Sequence, residues 1–125
     1  MILIGDKIVP YETCFFIDAK EKIENTEPNS TLIFNYNEEL LIFCKENNIT
    51  CAVIVTNIKE AVYCNALNSK YIICKKNIAK SIQKVAENYM FDSKVLAVIK
   101  KSDEIEEIAL AEIDGVIYSH LLNKI

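Results

Sequence analysis

Short apolar runs, rich in β-branched side chains, recur at residues 14–17, 31–34, 51–55, 71–74, 95–99 and 116–118. These runs recur at a spacing of about twenty residues; they have about the length of strands or buried helix turns, and their β-branched content reads as strands. Between them the apolar positions change to a period near 3.6. Ile58, Ala61, Val62, Ala66 and Leu67 form one stripe, and Ile78, Ile82, Val85, Ala86 and Tyr89 another. Leu40, Leu41 and Cys44 mark a helix over about residues 38–46, and Ile105, Ile108, Ala109 and Ala111 mark a fourth. The starts are signalled too: Asn57 stands before Ile58 with Glu60 three residues on, and Ser102 precedes the acidic pair Asp103-Glu104. A shorter helix is predicted over 19–25, ending before the turn Glu27-Pro28-Asn29.

Strands that alternate with helices imply βαβ crossovers and a parallel sheet. The strands are apolar throughout, as buried parallel strands are. The prediction is one α/β domain over residues 1–125: an open, mostly parallel sheet of about six strands with helices on both faces, in a Rossmann- or flavodoxin-like doubly wound arrangement. The opening differs in pattern. Ile2–Ile4, a Gly5-Asp6 turn and then residues 7–9 before Pro10 read as an N-terminal β-hairpin. The alternative is a half (β/α)-barrel, since the helix-then-strand cadence resembles successive barrel units while a complete eight-stranded barrel needs roughly 200 residues or more.

Composition narrows the chemistry. The chain has 125 residues, 51% of them hydrophobic, and a formal net charge of -4. That balance disfavours a nucleic-acid binder, because affinity for the phosphate backbone needs a basic surface. Every basic residue is Lys; without Arg, a bound anion must meet ammonium groups, hydroxyls or backbone N–H groups. No apolar run approaches the roughly 20 residues of a membrane span, and charges arrive too early for a signal peptide, so a cytoplasmic protein is expected. The five cysteines form no C-x-x-C pair, and the single His is far from them in sequence. They read as reduced core residues, with no metal site and no cofactor implied.

In open parallel sheets ligands bind beyond the carboxyl ends of the strands. The residues there that suit an anion are Thr56, Asn57, Lys75, Lys100, Ser102 and His120. No glycine-rich phosphate loop accompanies them: neither Gly5 nor Gly115 opens a βα turn, and no G-x-G-x-x-G or Walker pattern occurs. The pattern of signalling receiver domains fails as well, because Asp18 lacks an acidic partner and no strand end offers a phosphoacceptor Asp. His120 is the natural acid–base candidate, although no G-x-S-x-G elbow surrounds the neighbouring Ser119. The tail carries Leu121, Leu122 and Ile125, an apolar set that either caps the sheet or meets a second chain.

Three functions fit these residues. The leading expectation is a non-catalytic interaction or regulatory domain acting as a homodimer or on a protein partner. The second is a binding module for an anionic small metabolite at the strand carboxyl ends. The third is a small enzyme for a phosphorylated or carboxylated substrate, with His120 or a rim lysine carrying the proton.

Overall fold

The structure, a computed structural model, describes residues 1–122. The chain runs β1 (Ile2–Ile4), β2 (Cys14–Phe16), β3 (Thr31–Asn35), α1 (Glu38–Glu46), β4 (Cys51–Ile54), α2 (Ile58–Ala66), β5 (Tyr71–Lys75), α3 (Lys76–Asn88), β6 (Lys94–Ile99), α4 (Ile105–Leu110) and β7 (Gly115–Tyr118). Short 3-10 helices lie at Lys20–Asn25, Ser102–Glu104 and Ser119–Leu121. The first of these replaces the short helix expected over 19–25.

All seven strands are parallel, in the order β1-β7-β6-β5-β4-β3-β2. From β2 to β7 each strand therefore pairs with the next in sequence. Such single winding repeats one crossover sense and lays the helices on one side. The packing agrees. Leu41 and Cys44 of α1, Ala61 and Cys64 of α2, Ala79 and Ile82 of α3 and Ile108 of α4 share a core with one sheet face. Ile4, Ile33, Ala52, Ile73, Leu96, Ile117 and Leu122 form a separate cluster on the other face, with no side chain from α1–α4. The 3-10 helix Ser119–Leu121, which follows β7 near one edge, contacts β2 at the opposite edge across this face, so the sheet curls around it. The architecture is an open, curled parallel sheet, the half-barrel alternative. Helices on both faces are corrected to helices on the convex face, and the strand count to seven.

The expected N-terminal hairpin is also corrected. β1 pairs in parallel with β7, Ile2 opposite Gly115 and Ile4 opposite Ile117, and residues 7–9 form no strand. Gly115 permits this docking: a Cβ there would stand 2.6 Å from the Ile2 Cβ and collide with the Ile2 carbonyl. Residues 5–13 then connect the two edges of the sheet without a helix. The connection is pinned at both ends. At the carboxyl rim the Tyr118 hydroxyl donates to Asp6 Oδ2 (2.8 Å) and the Ile8 N–H to Asp6 Oδ1 (2.9 Å). At the amino end, Glu12 accepts from the Tyr71 and Thr31 hydroxyls, each at 2.6 Å, and pairs with Lys70 at 2.9 Å. We call this connection the strap.

Helix ends follow local chemistry. Asn37 and Asn57 accept from the N–H groups of Leu40 and Glu60. Asn48, Asn68, Met90 and Glu112 adopt positive φ just past the four helices. A chain with two glycines thus stops its helices with left-handed asparagines where it has them.

Candidate functional site

The missing helix between β1 and β2 leaves part of the convex face bare. Leu3 and Tyr118, on the outer side of β1 and β7, are half-buried, as is Ile105 at the start of α4. A cavity of about 600 Å³ lies between them and the strap. Its apolar side is Leu3, Ile105 and the strap residues Ile8 and Val9. Its polar side is Lys7, Lys100, Lys101, Ser102, Tyr118 and His120, with Asp6 as its one carboxylate among the described residues.

Gly5 sets the strap's departure. Its φ is +91°, and an added Cβ would lie 3.0 Å from Leu121 Cδ1 and 3.1 Å from Tyr118 Cβ. Asp6 is already engaged: the Ile8 N–H, then the Tyr118 hydroxyl, hold its carboxyl below the usual carboxylate range. Burial, with the bond to Asp6, pushes the Tyr118 phenol up. The pair is a neutral phenol on a carboxylate near neutrality, and it anchors the strap. The His120 ring packs against Tyr118, centroids 6.2 Å apart. Lys7, Lys100 and Lys101 have no ion-pair partner among the described residues. In a chain of net charge -4, three unpaired ammonium groups facing one occupied carboxylate make the cavity locally cationic.

The loop beside it is occupied. Glu104 Oε2 accepts from the Lys100 and Lys101 N–H groups at 2.7 and 2.9 Å, and its other oxygen pairs with Lys76 at 2.6 Å. Lys76, then the two backbone donors, pull the Glu104 carboxyl down to about 2. Those N–H groups are closed to a ligand, whereas Lys100 and Lys101 themselves are exposed and line the cavity.

The structure thus unites three of the six candidate residues, Lys100, Ser102 and His120. Lys75 lies in a neighbouring shallow depression that Lys100 also borders, where Glu104 and Glu107 bind Lys76. Thr56 and Asn57 are elsewhere and serve α2: Glu60 Oε1 accepts from the Thr56 N–H (2.8 Å), and Asn57 accepts from the Glu60 N–H. Lys7 escaped sequence reasoning because the hairpin expectation placed residues 7–9 in a strand, Asp6 because it read as a turn residue, and Tyr118 because it read as the end of a buried strand. The Gly5-Asp6 turn is the only local signal of the strap.

The remaining chemistry is sparse. All five cysteines are free, and burial pushes the Cys64 and Cys74 thiols up to about 12, far from a reactive thiolate. A cavity of about 660 Å³ at the amino ends of the strands holds Lys70, but Glu12 already pairs with it. In barrel-like sheets that end serves stability. No described helix is long and apolar enough to cross a membrane.

Fold and site together define an α/β half-barrel with a lysine-lined cavity at its carboxyl rim. No protein-family model matches the chain, and no curated protein matches it in sequence.

Proposed function

We propose that the protein is a binding module for an anionic small molecule, held at the carboxyl ends of β1, β6 and β7. The observation that carries this reading is the convergence of Lys7, Lys100 and Lys101 on one cavity while none of them is ion-paired among the described residues. The two carboxylates beside them are already engaged, Asp6 by Tyr118 and Glu104 by Lys76, and ammonium groups left unpaired favour an anion over water most strongly in a concave, partly apolar site, where the effective dielectric falls. Ser102 supplies a hydroxyl at the same mouth. The interaction-domain reading rests on the lack of an assembled acid–base or cofactor motif and on apolar termini, the tail among them. Leu121 and Leu122 instead pack into the concave face, and Ile125 lies outside the described residues.

The test is a thermal-shift and calorimetric titration with inorganic phosphate and with citrate. Binding should raise the wild-type Tm. The double variant Lys100→Ala/Lys101→Ala should lose that rise, and Thr56→Ala, remote from the cavity, should keep it. Absence of any response in the wild-type protein would remove the reading.

A further inference from the structure

Building on that anion-site reading, we propose that the ligand is amphipathic: a single anionic head on a compact apolar body, the body lying under Ile8 of the anchored strap. The cavity has two unlike walls. Three lysines, Ser102, His120 and the Tyr118–Asp6 pair make one, and Leu3, Ile8, Val9 and Ile105 make the other. A small hydrophilic anion such as a sugar phosphate would waste the second wall, because it brings polar groups against apolar side chains and leaves their hydration unrelieved.

Ile8 is the decisive residue. It is 89% exposed, the highest value among the large hydrophobic side chains of the described residues, yet it lines this cavity. Its backbone is not loose, since the Ile8 N–H is fixed to Asp6 and Asp6 to Tyr118. An isoleucine presented from an anchored strap at the mouth of a cavity gains burial only when something apolar arrives beneath it. The volume of about 600 Å³ suits one whole small ligand rather than the end of a long chain. Charge decides the other end of the molecule. The cationic wall would repel a cation and gives a neutral ligand nothing for the lysines to meet.

Phenyl phosphate and inorganic phosphate, titrated in parallel by calorimetry against the full chain, separate the two levels of the argument. Phenyl phosphate is expected to bind about tenfold more tightly, the equivalent of burying part of one aliphatic side chain. Ile8→Ser, at a position with no packing to lose, is expected to erase that advantage while leaving inorganic phosphate unchanged. Lys101→Ala is expected to weaken both. If neither anion binds, the anion-site reading itself falls. If both bind equally and Ile8→Ser changes neither, the anion site stands and the amphipathic ligand is overturned. Sedimentation of the same two proteins closes the remaining route: a wild-type dimer that Ile8→Ser dissociates would make the apolar wall a contact between copies and overturn the proposal.

Discussion

Met90 and Glu112 carry a cost that their neighbours avoid. Both sit one residue past a helix C-cap with φ of 51° and 62°, in the left-handed region where a Cβ crowds the following carbonyl. Asn48 and Asn68 fill the equivalent positions after α1 and α2 more easily, since asparagine tolerates this conformation. Met90 is 85% exposed, so its side chain contributes little packing that a substitution would lose. Met90→Gly is therefore expected to stabilise the protein by about 0.5–1 kcal/mol, once the larger entropy of glycine in the unfolded chain is set against the relieved strain. Equilibrium urea unfolding checks it, and an unchanged or lower midpoint would refute it. The same scale shows why Thr56 and Asn57 misled the sequence reading. A hydroxyl and an amide before a helix suit either an incoming anion or the helix's own N–H groups, and here Glu60 completes a reciprocal cap that uses both residues.

At the scale of elements, the joint between α3 and the β6–α4 connection rests on Glu104. Its oxygens bridge the ammonium of Lys76, at the start of α3, to the backbone that leaves β6. The carboxyl titrates at about 2 against an ordinary 4.5. A group whose pKa is depressed on folding adds stability that is fully present above its unfolded pKa and disappears as pH falls through the folded one. Wild-type stability should therefore decline between about pH 4.5 and 2 more steeply than that of Glu104→Gln, and the two acid limbs should converge near the bottom of that window. Thermal unfolding followed against pH reads the difference, and parallel curves would sink the assignment. Glu12 works in the same direction at the opposite rim. Burial alone would raise its pKa, but the bonds from Thr31, Tyr71 and Lys70 outweigh burial and hold it below the ordinary value.

Which elements could be read from the chain follows from the range of the interactions that make them. β2 to β7 and α1 to α4 are visible because each announces itself locally, by a run of apolar residues or by a 3.6 period with a cap. The N-terminal strand is different. Ile2–Ile4, Gly5-Asp6 and residues 7–9 satisfy a hairpin pattern, and only pairing with residues 115–117, more than a hundred positions away, decides against it. The site divides the same way. Lys100 and Ser102 are legible as a loop after a strand, whereas Lys7 enters the cavity only because Asp6 reaches Tyr118 from the far end of the chain. Helix placement was open for a related reason: strand order, which no local pattern encodes, determines whether crossovers cover one face or two.

The whole molecule solves a problem that this winding creates. Helices laid on the convex face leave the concave face without cover, and that face is lined by Ile4, Ile33, Ile73, Leu96 and Ile117. A full barrel would fill the space with side chains from the missing strands. Here the curl brings β1 and β2 side chains into one cluster, and the 3-10 turn Ser119–Leu121 carries Leu121 and Leu122 into the same cluster as a plug. Leu122 is only 9% exposed, so a charge there would face apolar side chains with no partner. Leu122→Asp is expected to cost about 3 kcal/mol or more and to open the concave face, with a rise in binding of a hydrophobic dye and in self-association, whereas Leu122→Met should leave all three near wild type. Dye fluorescence and sedimentation together test this. A monomeric, dye-silent Leu122→Asp protein would show that the curled sheet buries its concave face without the tail. The lysine cavity offers an internal control, since it lies on the convex side and draws on Leu3, Tyr118 and the strap rather than on Leu122. Phosphate binding that survives Leu122→Asp while the concave face opens would therefore separate the two faces of the sheet, one closed by the chain's own tail and the other kept for a ligand.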